Sequence, residues 1–269
     1  MVSAMQDRSL PLAPNSAHSQ TELAVCDQAF HAFVDILPNA EISSHKGSLS
    51  GLTFAAKDMF VYQDRQPTCG LETPPALGLS GTAQVVETLI DAGAALSGFT
   101  TLTALAYEPS GVNGNGSRPV NPWGANLITG GSSSGSAVAV AAGLVDFAIG
   151  SDTAGSLRIP AQACGVASYK PSYGLISVAG AMPLAPSLDC IGFLARDVGL
   201  LQRVAQHFLA PTLPPSLQVY LASDLTDVCA PEIAAQVQIM QRILNANGVE
   251  TKPLALAAFI KAADAPLFV

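Results

Sequence analysis

The sequence predicts an α/β fold with a mixed β-sheet core sandwiched by helices. Three observations predict it. Segments with helical spacing of apolar residues alternate with short apolar runs, the pattern of helices packed on a sheet. Of the 269 residues, 49% are hydrophobic and only 12% charged, enough for a sizeable buried core. Aromatic residues make up 6% and glycines number 23, so the core is expected to pack small side chains closely.

The elements follow in order. Residues 1–20 are polar, contain Pro and Ser, and lack an apolar signal-type stretch, so they read as a disordered arm. Residues 21–269 read as one domain with no repeat and no linker. Leu23, Phe30 and Phe33 have helical spacing, which predicts a helix from Thr21 to Val34 with the Thr21 hydroxyl as its cap. Gly51 to Tyr62 is a short apolar run, read as a strand. Ala83 to Ala92 is a helix with Val85, Val86, Leu89 and Ile90 on one side and Gly93 as its stop. Ala94 to Phe99 is the next strand. Glu108 to Asn126 is a long loop rich in Gly, Pro and Asn, a kind of segment that is often functional. A Gly/Ser turn at Gly130–Gly135 leads into a helix of small residues from Ser136 to Ala142. Val145, Phe147 and Ile149 alternate as in a strand, and a second Gly/Ser turn spans Gly150–Ser156. Asp197 to Leu209 is a helix, Leu217 to Ala222 a strand, and Pro231 to Asn247 a helix with Pro at its start and Gly248 past its end.

Charge and composition exclude several function classes. The net charge is −8 with no Lys/Arg cluster, which argues against nucleic acid as a partner. No run reaches the ~18 apolar residues of a membrane span, so no membrane partner is expected. Cys26, Cys69, Cys164, Cys190 and Cys229 form no C-x-x-C pair and read as free thiols of a cytoplasmic protein. His18, His31, His45 and His207 are scattered singly, so neither a metal nor a cofactor is expected.

The residues with chemical potential are the two Gly/Ser turns, Gly130-Gly131-Ser132-Ser133-Ser134-Gly135-Ser136 and Asp152-Thr153-Ala154-Gly155-Ser156. Small residues let a backbone approach a ligand, and successive N–H groups can form an anion-binding nest. Lys57 ends the apolar run Leu52-Thr53-Phe54-Ala55-Ala56. A buried lysine loses pKa by desolvation and can become a neutral base, whereas one at a strand end can also simply reach water.

Together these residues resemble the amidase signature family. The resemblance rests on Gly130-Gly131-Ser132-Ser133, on Gly150 through Pro160, on Cys164-Gly165 and Lys170-Pro171, and on Lys57 standing 75 residues before Ser132. It covers roughly Gly51 to Asp197. The stretch Gly130 to Phe147, with Ser187-Leu188-Asp189 and Phe193 to Asp197, is similar to plant-type indole-3-acetamide hydrolases. The resemblance implies hydrolysis of a small carboxamide to a carboxylate and ammonia or an amine. It makes Ser156 the nucleophile, Ser132, after a cis peptide bond, the proton relay, and Lys57 the base. The backbone N–H groups of Thr153, Ala154, Gly155 and Ser156 would form the oxyanion hole. Ser133, Asp152 and Arg158 would support the turns. The implied partner is a small amide substrate, with self-association into a homo-oligomer left open.

Three departures stand beside it. Ala154 occupies a usual Gly position, at a cost of about 1 kcal/mol or more if that position needs positive φ. Ser134 replaces a common Gly. The chain is also shorter than the family, and the C-terminal portion that completes the sheet is expected to be lacking. A truncated or non-catalytic amidase-like module is therefore one alternative. A second is an α/β-hydrolase-type esterase, because Gly131-Ser132-Ser133-Ser134-Gly135 fits G-x-S-x-G, with Ser133 attacking and Asp189 or Asp197 and His207 in chain order. Met59, Phe60, Trp123 and Leu127 are candidates for an apolar pocket or for the core.

Overall fold

Strands rich in Phe, Ala and Ile assemble the sheet that positions the site. The structure is a computed structural model describing residues 19–38, 46–113, 118–209 and 219–256. Six strands, β1 (Phe33–Ile36), β2 (Thr53–Lys57), β3 (Ala95–Thr100), β4 (Phe147–Asp152), β5 (Ala167–Tyr169) and β6 (Cys190–Ala195), lie in the order β1-β3-β2-β4-β6-β5. β3, β2 and β4 run parallel, while β1, β6 and β5 pair antiparallel, so the sheet is mixed as expected.

Side-chain alternation gives β2, β3, β4 and β6 two buried faces, while the edge strands β1 and β5 are only partly buried. Phe54, Ala56, Phe147, Ile149, Phe193 and Ala195 share one cluster with α2 (Gln84–Asp91) and α5 (Val198–Ala205). The rings of Phe54 and Phe147 stack there at 5.3 Å. Ala55, Ala148 and Leu194 face the other cluster, with α1 (Gln20–Asp27), α3 (Ser134–Ala141) and α4 (Arg158–Cys164). Every residue of α3 is buried, which explains its small, unpatterned sequence: a helix covered all round needs no polar face.

Several boundaries differ from the sequence reading. The first helix is capped by Ser19, which forms a reciprocal box with Glu22, rather than by Thr21. It ends at Asp27, not Val34, because the Asp27 carboxylate accepts from Ala32 N at 2.7 Å and Phe33 N at 3.3 Å, and His31 takes φ 52°. Phe33 therefore belongs to β1. The strand at 147 runs on to Asp152, so the second turn begins only at Thr153. α4, β5 and β6 were not anticipated. Asp197 is the cap of α5 rather than its first residue, with its side chain accepting from Leu200 N at 2.8 Å.

No linker is evident in the sequence, yet the chain divides into two compact units, Met1–Ala210 and Pro211–Val269. In the second, β7 (Val219–Ala222) pairs parallel with β8 (Thr251–Leu254), accompanied by α6 (Ser223–Thr226) and α7 (Pro231–Ala246). Residues 1–18 of the expected arm and the tail 257–269 lie outside the described residues.

Candidate active site

The site lies where β2 and β4 end and α3 begins. Lys57 is the last residue of β2 and is fully buried. Its Nζ donates to Ser132 Oγ at 2.7 Å and to Ser151 Oγ at 2.8 Å. Burial pushes its pKa down from 10.5 to about 7, although Asp152, Asp189 and Cys69 pull in the opposite direction. The ammonium form therefore loses protons near neutrality, and Lys57 can accept one from a hydroxyl that it touches.

Ser132 follows a cis Gly131–Ser132 peptide bond. Its loop is pinned from several sides. Gly131 N donates to Pro109 O at 2.7 Å, Thr103 N to Ser132 O at 3.4 Å, and Ser133 N to Ser156 O at 3.0 Å. The last bond joins the two Gly/Ser turns directly. Ser133 is fully buried and its Oγ donates to Ser151 O at 3.3 Å. Gly130 adopts φ 68°, and a Cβ there would press on the Pro160 backbone, so this turn packs against the start of α4.

The second turn is more open. Ser156 is partly exposed and Ala154 exposed. Among the described residues, the backbone N–H groups of Thr153, Ala154, Gly155 and Ser156 donate to no protein acceptor. Four free donors in succession are what a developing negative oxygen requires. Gly155 takes φ 140°, a value that favours glycine, whereas Ala154 is not among the residues with positive φ. The strain anticipated at Ala154 is thus absent. Asp152 anchors the turn from below: Arg158 Nε and Nη2 donate to it at 2.9 Å each, and the Leu157 and Arg158 backbone N–H groups at 3.3 Å. Burial alone would raise the Asp152 pKa; these donors and the Arg158 charge hold it below the ordinary carboxylate value.

Lys57, Ser132, Ser133, Asp152, Arg158 and the Thr153–Ser156 turn thus come together as one constellation. The sequence reading missed Ser151, the second partner of Lys57, because the strand that carries it was read as a turn. It also missed the bond from Thr153 Oγ1 to Asp189 Oδ1 at 2.6 Å. The esterase arrangement is not assembled. Ser133 is buried, His207 Nε2 pairs with Ser48 Oγ at 2.8 Å, Asp197 caps α5, and Asp189 holds Thr153. Met59 and Phe60 belong to the core, Trp123 Nε1 donates to Cys164 O at 2.8 Å, and Leu127 is exposed. No group of three or more His, Cys, Asp or Glu among the described residues could hold a metal ion. No helix among them is long and apolar enough to cross a membrane.

Comparison with known proteins places this geometry in context. The family described as Amidase matches residues 14–214. Amidase 1 of Arabidopsis thaliana is 43% identical over 211 residues, 75% of this chain and 48% of that protein. The chloroplastic outer envelope protein 64 of the same plant is 40% identical over 207 residues, 72% of this chain and 35% of that protein. A crystal structure of an amidase superposes with a TM-score of 0.77 at 29% identity, covering 88% of this chain and 58% of that one. The chain spans about half the length of the curated relatives it matches, or less.

Proposed function

The chain belongs to the amidase family, and from that premise we propose that it hydrolyses a small carboxamide through an acyl-enzyme on Ser156. The observation that carries this reading is the buried Lys57 Nζ–Ser132 Oγ contact of 2.7 Å, with the lysine pKa near 7. The Ser156 hydroxyl is a poor nucleophile until a base removes its proton. As its Oγ–carbon bond to the amide carbonyl forms, its proton passes to Ser132, and the Ser132 proton passes to Lys57. The carbonyl oxygen takes up the displaced electron pair and receives the free N–H groups of Thr153–Ser156. Loss of one such donor costs roughly 10²–10³-fold in rate. When the tetrahedral species collapses, the C–N bond breaks and the proton returns from Lys57 through Ser132 to the leaving nitrogen. Water then attacks the acyl carbon by the same relay, releasing the carboxylate and regenerating Ser156.

A fluorophosphonate tests this directly, because it reacts with an activated serine without needing turnover. Peptide mapping is expected to place the label on Ser156 and to find none after Ser156→Ala. Labelling of Ser133, or no labelling of the wild-type chain, overturns the assignment.

A further inference from the structure

The turn proposed to bind the oxyanion has to keep its backbone N–H groups free, so only its carbonyls can join backbone pairing: Ser156 O accepts from Ser133 N at 3.0 Å and Gly155 O from Ile159 N at 2.8 Å, both at its far end. The β4–β6 ladder stops at the Asp152–Cys190 pair, immediately before the turn. The next residue on each side, Thr153 and Asp189, is joined instead by side chains, Thr153 Oγ1 donating to Asp189 Oδ1 at 2.6 Å. The carboxylate is itself fixed: Leu184 N donates to Oδ2 at 2.9 Å, and Ala185 N to both oxygens at 3.0 Å. That loop is closed by Leu188 N and Asp189 N donating to Ala185 O at 2.8 and 2.9 Å. Three donors thus orient one carboxylate, and one of them belongs to the first residue of the turn. A charge-assisted bond of this kind is short and directional, and it fixes a rotamer that a neutral contact would leave free.

We propose that Asp189 is a positioning residue for the oxyanion turn, acting through the Thr153 side chain. The inference rests on the role proposed for Ser156. Asp189 does not touch the substrate; it sets the direction of donors whose worth depends on alignment.

The test is a double-variant cycle on the full chain, reading fluorophosphonate acylation rate and, with an amide substrate, kcat and KM. Asp189→Asn, Thr153→Val and the double variant are expected to lose the same factor, roughly 10–100-fold in acylation rate and kcat, with KM little changed. Thr153→Ser, which keeps the hydroxyl, is expected to recover most of the loss. The pH profile separates the two single variants. The Asp189 charge helps to keep Lys57 protonated, so Asp189→Asn moves the acidic limb to lower pH, while Thr153→Val leaves it in place. Multiplicative losses in the double variant, or unchanged rates in both single variants, overturn the proposal. The backbone amide resonances of Thr153–Ser156 give a readout independent of the reaction. Displacement of these signals by both single variants supports the positioning role even if wild-type chain proves unlabelled at Ser156, an outcome that would sink only the reading of the reaction. Unmoved signals overturn the positioning role itself.

Discussion

The two halves of the site are built differently. The half proposed to handle protons, Lys57 with Ser132, Ser133 and Ser151, is buried and paired within the protein. The half proposed to attack, Thr153 to Ser156, is partly exposed and leaves its backbone donors free. The first is completed by its own sheet and helix, so its chemistry is set before any ligand arrives. In the proposed reaction the second is completed only when a carbonyl oxygen occupies it. A buried base keeps its low pKa through desolvation, which exposure would undo. A nucleophile has to remain accessible.

The largest expected effect is on Ser156. Ser156→Ala should lower amide hydrolysis by on the order of 10⁵-fold or more while leaving the melting temperature close to wild type, because the residue ends an open turn and Ala fits it. A kinetic assay with a small arylacetamide, beside a thermal melt, checks both halves of the claim. Residual hydrolysis near the wild-type rate would remove Ser156 from the mechanism.

Lys57 comes next. Lys57→Ala or Lys57→Met should cost roughly 10²–10⁴-fold in rate. Wild-type activity should rise with pH through a limb centred near 7, where Lys57 becomes neutral. The stability sign follows from the same shift. The unfolded lysine titrates near 10.5 and the folded one near 7, so between those values the unfolded chain binds more protons and stability rises with pH. Below pH 7 the full penalty, a few kcal/mol, is present. The stability of Lys57→Met relative to wild type should therefore fall steadily between pH 7 and 9 in denaturant titrations. A constant difference would show that Lys57 is not perturbed by burial.

Much of this was legible in the sequence, for identifiable reasons. α2, β3 and α7 were read close to their observed bounds because their periodicity and end signals agree: Gly93 takes φ 99° and Gly248 φ 77°, each just past a helix. Lys57, Ser132 and Ser156 were picked out by the resemblance to the amidase signature family; local sequence alone leaves Lys57 equally able to end a strand and reach water. What escaped depends on partners far away in sequence. The false extension of α1 came from Phe30 and Phe33, whose spacing suits a helix, but the Asp27 carboxylate bonds the chain beyond it and turns it away. β6 is a uniformly buried run, which has no alternation to betray a strand. Ser151 and Asp189 gain their roles only by meeting Lys57 and Thr153 across 94 and 36 residues.

The contrast between the halves sharpens with glycine substitutions. A Cβ at Gly135 would collide with the carbonyl of Ala32 and the amide of Thr101, both backbone and both packed against buried α3. Gly135→Ala should destabilise the protein by roughly 3 kcal/mol or prevent folding. A Cβ at Gly155 meets only the flexible end of Ile159, 2.7 Å from its Cδ1, with the strain of φ 140° added. Gly155→Ala should cost about 1 kcal/mol of stability yet slow acylation, since it tilts free donors. Equal losses of stability at the two sites would erase the distinction drawn between the halves.

The smallest effect is expected at the seam between them, Asp152. It is the last residue of β4, its side chain 1% exposed, and its ion-pair partner Arg158 is 55% exposed. So exposed a guanidinium is screened by water, and Arg158→Gln should cost no more than about 1 kcal/mol at pH 7, because the Leu157 and Arg158 backbone donors remain. The pH dependence is the sharper readout. The native Asp152 pKa is depressed, so its contribution is present above the unfolded carboxylate pKa and is lost as pH falls through the folded one. Without Arg158 the opposing effect of burial gains weight, the folded pKa rises, and the loss begins at higher pH. Acid unfolding of Arg158→Gln should thus shift to higher pH than wild type, with Arg158→Lys in between because lysine keeps the charge but not the two-pronged geometry. Coincident acid transitions for all three chains would show that the backbone donors alone hold Asp152, and that the turn above it is independent of the Arg158 charge.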